Sequence, residues 1–99
     1  MNYKISKEAA NDLENIWIYT FKKWSLIQAD RYFGLLMDEI EYISLNPEVG
    51  KDYSHIREGY FRARVKSHFI FYKVNIATDL VEIIRILHQQ MDIDERLND

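Results

Sequence analysis

Hydrophobic residues recur every three to four positions through the first half of the chain, which is the spacing of an amphipathic helix. This spacing predicts one helix over residues 7–24 and a second over residues 25–46. Before them, apolar side chains on alternate positions of residues 2–6 predict a short strand. The apolar stripes of the two helices consist of Ala9, Leu13, Ile16, Trp17, Thr20 and Trp24, and of Ala29, Phe33, Leu36, Ile40 and Ile43.

Residues suited to capping lie at the predicted helix ends. Ser6 precedes the first helix, and Ser25 precedes the second with Gln28 three positions later, which is the pattern of a capping box. Pro47 ends the second helix because proline has no backbone N–H and disfavours a helical residue before it. Since Ser25 directly follows Trp24, the two helices are expected to form an antiparallel hairpin.

In the second half of the chain the hydrophobic period changes to two, as in β-strands. The alternation predicts strands over residues 60–66, 69–74 and 80–88, joined by short turns. The polar segment 47–59 is predicted to be a loop. Residues 92–99 are expected to form a helical turn or a frayed end.

The order strand, helix, helix, strand, strand, strand predicts a single α+β domain over residues 1–99. The expected architecture is a helical hairpin packed on one face of a small, mostly antiparallel sheet. Strand 69–74 is apolar on both faces and is therefore predicted to lie centrally. The sheet face away from the helices is expected to be only partly covered and to collect polar residues.

Composition and charge narrow the class of protein. The chain has no cysteine, which excludes disulfides and thiolate metal sites and fits a reducing compartment. No segment is apolar enough to span a membrane and no signal-peptide pattern is present, so a cytoplasmic protein is expected. The net charge is −3, yet residues 51–90 carry 7 Lys/Arg against 4 Asp/Glu. The sequence therefore predicts one basic face on a protein that does not bind nucleic acid by net charge alone.

The basic face has three candidate residues on one strand. Arg62, Arg64 and Lys66 occupy alternate positions of strand 60–66, with no acidic residue between them. Alternation places the three side chains on the same side of the sheet. They are candidates for contacts with a target, although the solvated face of an antiparallel strand would look the same.

A fourth cation, Arg85, lies inside the apolar strand 80–88. An arginine in such a run must find a partner or face solvent, because an uncompensated charge in an apolar interior is too unfavourable to persist. Arg85 either joins the basic face or pairs with a carboxylate such as Glu82 or Glu48. His88, at the end of the same strand, is a weaker candidate for the same functional site.

The tryptophans and the other histidines have structural interpretations. Trp17 and Trp24 are expected to pack within the helical hairpin, and part of that aromatic surface is a candidate for binding a partner. His68 lies at a turn and is expected to be structural. Together with His55 it lacks the spacing of a metal site, and no metal or cofactor is expected.

Taken together, these residues resemble the ParE/RelE toxins of bacterial toxin–antitoxin pairs, and in particular the ParE branch. The resemblance extends along nearly the whole chain in the right order and spacing. It rests on residues 9–13 with Trp17, residues 28–32, residues 46–50, Gly59 with Tyr60, residues 67–72 and residues 85–92.

The resemblance implies a toxin that is neutralised by a cognate antitoxin folding onto it, by adding a strand to the sheet edge and laying a helix on the hairpin. Trp17, Trp24, Arg62 and Arg64 are the candidate antitoxin contacts. In the ParE branch the implied target is DNA gyrase, whereas the RelE branch cuts ribosome-bound messenger RNA. Sequence-specific DNA binding by the toxin alone is not expected.

The chemistry of the candidate residues favours the gyrase inhibitor over the ribonuclease. Cleaving RNA requires a base, an acid and cations around the phosphate. Phe69 stands where related ribonucleases often carry an arginine, and Gln89 and Gln90 bring no tyrosine after His88. The catalytic set is therefore incomplete, and no catalytic residue is assigned. A messenger-RNA endoribonuclease stays the alternative, and a toxin that has lost its activity is a third.

Overall fold

The computed structural model describes residues 1–97, with two long helices packed against a five-stranded sheet. In chain order the elements are β1 (Asn2–Ile5), α1 (Lys7–Lys23), α2 (Leu26–Leu45), a 3₁₀ turn (Pro47–Val49), β2 (Lys51–Asp52), β3 (Phe61–Val65), β4 (His68–Asn75), β5 (Leu80–His88) and α3 (Ile93–Leu97). The strand order is β1-β5-β4-β3-β2. Only β1 pairs in parallel, with β5, and the other three pairings are antiparallel. The predicted α+β class and the central position of β4 are confirmed.

The predicted caps close both long helices. The Ser6 hydroxyl accepts a hydrogen bond from the Ala9 backbone N–H at 3.0 Å, and Ser25 accepts one from Gln28 at 3.1 Å. α1 ends one residue earlier than predicted, at Lys23. Among the described residues, no helix is long and apolar enough to cross a bilayer.

Most of the core lies between the helical hairpin and the sheet. It buries side chains from both long helices and from β3, β4 and β5: Ala9, Leu13, Leu36, Ile40, Ile43, Ala63, Ile70, Tyr72, Val81, Ile83 and Ile86. The prediction was wrong for two residues of the apolar stripes, which are exposed instead of buried: Trp24 is 69% exposed and Phe33 is 39% exposed. Trp24 lies in the connection between the helices, and Tyr32 takes the inward position of its turn in place of Phe33.

The sheet face away from the hairpin, here called the second face, is more apolar than predicted. Phe71, Leu87 and Leu97 are buried there as a smaller core. Leu97 belongs to α3, which folds back over this face. The side chains packed around this core are Tyr53, Ile56, Tyr60, Phe69 and Ile93. The polar residues expected on this face are present, among them Arg62 and Arg64, but apolar side chains from residues 53–60 and 93–97 also pack there, which the sequence did not predict.

Two short segments also differ from prediction. Lys51–Asp52 forms β2 at the edge of the sheet, inside the predicted loop, and pairs with Phe61 and Arg62. β3 ends at Val65, and Lys66 has a φ of 51° in the following turn. Lys66 therefore leaves the strand and does not continue the row of Arg62 and Arg64. The predicted tail 92–99 contains α3, and its last two positions lie outside the described residues.

Candidate functional site

A groove runs along α1 beside the end of β5 and the turn between β3 and β4. Two adjoining cavities of about 510 and 430 Å³ form it, and Tyr19, His68 and His88 line both. Lys66 lines the first cavity and Arg85 the second. The groove thus brings together three residues that the sequence singled out: Lys66, Arg85 and His88.

Arg85 is held by an aspartate of α1. Its Nε and Nη2 donate to the two Asp12 carboxylate oxygens at 2.8 and 3.0 Å, which is a bidentate ion pair with both side chains largely buried. The prediction of a carboxylate partner was right in kind, but the candidates Glu82 and Glu48 were wrong. The backbone of Arg85 lies in line with that of Arg62, since both residues pair with Phe71, but its guanidinium is bound to Asp12 at the outer edge of β5.

A β-bulge lies next to Arg85 in β5. Phe71 pairs with Arg85 whereas Tyr72 pairs with Ile83, so Ile84 is an extra residue that interrupts the alternation of β5. Strict alternation from the strand sequence therefore cannot assign Arg85 to a face.

Asp12 also closes the edge of the sheet. β1 pairs with β5 only as far as Ile83, and beyond it the outer edge of β5 has no strand partner among residues 1–97. The Asp12 carboxylate accepts the backbone N–H of Ile86 at 2.9 Å, and the Ser6 hydroxyl donates to the carbonyl of Ile84 at 2.8 Å. Side chains thus satisfy backbone groups that a longer β1 would have paired.

The floor of the groove contains a histidine pair supported by a tyrosine. The rings of His68 and His88 meet edge to face with centroids 5.1 Å apart, and the Tyr32 hydroxyl lies 2.6 Å from Nδ1 of His68. The same hydroxyl lies 3.1 Å from the Val65 carbonyl, so Tyr32 links His68 to the end of β3. Nδ1 of His88 accepts the backbone N–H of Gln90, which leaves its proton on Nε2.

Burial, together with a smaller effect of the neighbouring His88, lowers the pKa of His68 from 6.5 to about 4. Because the unfolded chain binds this proton more tightly, His68 should reduce stability as the pH falls from 6.5 towards 4. Since the ring is partly solvated, we expect it to lower the free energy of unfolding by about 1 kcal/mol between pH 7.5 and pH 5.

Urea unfolding at the two pH values measures this effect. His68→Gln should lose less stability than the wild type on acidification, whereas His55→Gln, which changes an exposed histidine, should behave as the wild type. An equal loss in the wild type and His68→Gln would contradict the assignment.

Arg62 and Arg64 lie away from the groove, on the second face. The Arg62 guanidinium carbon is 4.2 Å from the centroid of the Phe69 ring and 5.3 Å from that of Tyr53. Arg64 donates from Nε to the Lys66 carbonyl at 2.7 Å and from Nη2 to the Gln89 side chain at 2.8 Å. The predicted basic row is therefore divided, with these two arginines on the second face and Lys66 and Arg85 at the groove.

The tip of the helical hairpin exposes a set of large apolar side chains, here called the hairpin patch. Its members are 46–69% exposed: Tyr19, Phe21, Trp24, Leu26 and Ile27. Trp17 lies beside it, stacked on Phe21 with centroids 5.3 Å apart and donating to the Asp30 carboxylate at 2.9 Å. Trp17 thus links the two helices as predicted, whereas Trp24 presents its ring to solvent.

Asp12 and Tyr32 are the residues of this site that the sequence reasoning missed. Asp12 lies three residues after Ala9 and four before Ile16, at the margin of the apolar stripe, and that position is the available signal. Tyr32 had none, because Phe33 matched the stripe equally well. Among the described residues, no group of three or more His, Cys, Asp or Glu is arranged to hold a metal ion.

Comparisons with known proteins agree with this architecture. A family model described as "ParE toxin of type II toxin-antitoxin system, parDE" matches residues 3–93. The chain is 36% identical over 95 residues to Toxin ParE1 of Mycobacterium tuberculosis, covering 96% of each chain. It is 40% identical over 90 residues to Toxin ParE1 of Caulobacter vibrioides, covering 91% of each. The solved chromosomal ParDE toxin–antitoxin system from P. aeruginosa shares the fold, with a TM-score of 0.75, 16% identity, and coverage of 89% of this chain and 95% of that chain.

Proposed function

The chain belongs to the ParE toxin family of type II toxin–antitoxin systems, and from this membership we propose that it inhibits DNA gyrase and is neutralised by a cognate antitoxin. The observation that carries the choice of target is the ion pair between Arg85 and Asp12. This pair supports an inhibitor over a ribonuclease, the two activities that the resemblance implies for this fold. Both proposed partners are cytoplasmic proteins, so the proposal also places the toxin in the cytoplasm.

A ribonuclease must stabilise the charge that develops on the phosphate in the transition state. Arg85 is the cation on the same strand as His88, and the Asp12 carboxylate already neutralises it at 2.8–3.0 Å. A guanidinium committed to a bidentate carboxylate is a poor ligand for a phosphate. We propose that the groove, which Lys66, Arg85 and His88 line, contacts a surface of gyrase.

The experiment is a supercoiling assay with purified gyrase and relaxed plasmid. We expect the toxin to block supercoiling and to trap cleaved plasmid, and we expect the cognate antitoxin to restore activity at an equimolar ratio. Undisturbed supercoiling at a tenfold molar excess of toxin would contradict the proposal.

The second candidate, a messenger-RNA endoribonuclease, is favoured by the histidine pair. Nδ1 of His88 accepts a backbone N–H, so its neutral ring presents the Nε2–H that an acid needs, and the neighbouring His68 is the candidate base. Incubation of the toxin with ribosomes and a labelled messenger RNA separates the two candidates. Cut messages that disappear with His88→Gln would favour the nuclease, and intact messages would favour the inhibitor.

For the antitoxin we propose the hairpin patch as the main contact. Exposed aromatic and aliphatic side chains of this size, grouped at one end of a helical hairpin, are the usual anchors for an amphipathic helix. Trp24 belongs to the patch, and Trp17 supports it through Phe21. Arg62 and Arg64, which the sequence also suggested as antitoxin contacts, lie on the second face and are considered below.

Ile27→Asp should weaken antitoxin binding at least tenfold, because it places a charge where an apolar contact is proposed. Ile27 is 69% exposed, so the substitution should leave the fold intact. Ile76→Asp is the matched control: Ile76 is 84% exposed but lies in the turn between β4 and β5, and its change should alter affinity less than twofold. Isothermal titration calorimetry measures both, and equal effects would exclude the hairpin patch.

A further inference from the structure

The second face carries a basic surface that the proposed function does not use. Residues 51–73 contain six Lys/Arg and only two Asp/Glu, in a protein whose net charge is −3, and of these cations Lys66 lies at the groove. Apart from Lys66, this local excess of positive charge belongs to one surface, since the chain as a whole is acidic.

Strand register places several of these cations side by side. Lys51 pairs with Arg62 across β2 and β3, and directly opposed residues share a face of the sheet. Arg64 lies two residues further along β3, about 6–7 Å from Arg62 on the same face. Lys73 of β4 lies two residues after the buried Phe71 and belongs to this face by the same alternation.

The two arginines are held in place without being neutralised. Arg62 is stacked between Phe69 and Tyr53, and Arg64 is anchored to a carbonyl and an amide oxygen, so every partner is uncharged. In the described part of the chain, no carboxylate lies within ion-pair distance of either guanidinium. Ordering these side chains in the unbound protein reduces the entropy lost when they bind an anion.

Among the described residues, the acidic side chains on this side of the sheet form no ion pair with Arg62 or Arg64. α3 packs on the second face through Leu97 and carries Asp94 and Glu95. Lys73 faces Glu82 across β4 and β5, although no ion pair forms between them. The cationic area is therefore bounded by acids and centred on Arg62, Arg64 and Lys51.

We propose that this face binds the phosphate backbone of duplex DNA without reading its base sequence. A protein partner would need exposed apolar anchors. On the second face Phe71 and Leu87 are buried, and the Arg62 guanidinium lies over the partly buried rings of Phe69 and Tyr53. The exposed anchors lie instead on the hairpin patch. Phosphate contacts require only accessible cations, which is what the second face presents. The inference goes beyond the proposed function, since it concerns DNA itself and a surface separate from the groove.

Fluorescence anisotropy with a labelled duplex of arbitrary sequence tests the proposal on the full chain. We expect binding in about 50 mM salt, with a dissociation constant in the micromolar range that weakens steeply as salt is raised. A second duplex of different sequence should bind equally well. Arg62→Gln combined with Arg64→Gln should weaken binding at least tenfold and lower the slope of log K against log salt by about 2.

The matched control is Lys22→Gln combined with Lys23→Gln, which makes the same change in net charge on α1 and should bind as the wild type. Circular dichroism establishes that both double variants are folded. The proposal is overturned if the wild type does not bind, or if the control loses as much affinity as the arginine variant. It is also overturned if the arginine variant keeps its affinity for DNA and loses affinity for the antitoxin, because the face would then be a protein contact. The assay contains no gyrase, so its outcome is independent of the gyrase proposal.

Discussion

Replacing Asp12 by alanine is expected to lower the free energy of unfolding by about 3 kcal/mol. The Asp12 carboxylate accepts three hydrogen bonds, two from Arg85 and one from the backbone of Ile86. Its removal takes the counter-ion away from a guanidinium that is only 18% exposed and leaves the Ile86 N–H at the open edge of β5 without this acceptor. Urea denaturation monitored by circular dichroism measures the loss.

Two comparisons isolate the ion pair from a general effect of charge. Glu14→Ala removes an exposed acid from the same helix and should change stability by less than about 0.5 kcal/mol. In an Arg85→Met background, Asp12→Ala should be much less destabilising, because the charge that Asp12 pairs with is already gone. A loss below about 1 kcal/mol for Asp12→Ala alone would mean that water replaces the carboxylate, as at an exposed pair.

The elements that could be predicted from sequence are those that local interactions determine. Ser6 and Ser25 cap their helices within three residues of themselves, and Pro47 ends α2 through its own missing N–H. β5 was predicted with its observed bounds, Leu80–His88, because a run of β-branched residues between polar turns has few other solutions.

The features that were missed depend on contacts distant in sequence. Asp12 and Arg85 are 73 residues apart, and Arg85 lies next to the bulge at Ile84, for which the strand sequence has no signal. β2 contains two residues, too few to display a period. α3 depends on the packing of Leu97 against Phe71 and Leu87 on the second face, because a five-residue helix has little stability of its own.

The candidate site was predicted as one basic face and is found as two surfaces. Alternation placed Arg62 and Arg64 correctly together, since β3 is regular between Phe61 and Val65. It failed at Lys66, where the chain turns with a positive φ. It could not assign Arg85 to a face, because the extra residue Ile84 shifts the alternation and the Arg85 guanidinium binds Asp12 at the sheet edge. A pattern of period two is thus reliable only as far as the strand is uninterrupted.

The second large effect is expected at Gly50, where an alanine should lower the free energy of unfolding by about 2 kcal/mol. The backbone N–H of Gly50 donates to the Tyr72 hydroxyl at 2.9 Å, and that hydroxyl donates to the Pro47 carbonyl at 2.8 Å. A Cβ on Gly50 would stand 2.8 Å from two ring carbons of Tyr72 and closer still to its oxygen. Tyr72 is fully buried between the hairpin and the sheet, so the ring cannot move aside without disturbing the core.

Gly34→Ala is a control for which we expect stability to change in the opposite direction. Gly34 lies inside α2, where an added Cβ meets no atom within 4 Å, and alanine should raise stability by about 0.5–1 kcal/mol through its helix propensity. Thermal unfolding should therefore move in opposite directions for the two glycines. Tyr72→Phe removes the atom nearest to the new methyl group, so Gly50→Ala should be less destabilising in that background. If Gly50→Ala unfolded at the wild-type temperature, the turn would have room for a side chain, and the hydrogen bonds of the Tyr72 hydroxyl would not fix its path.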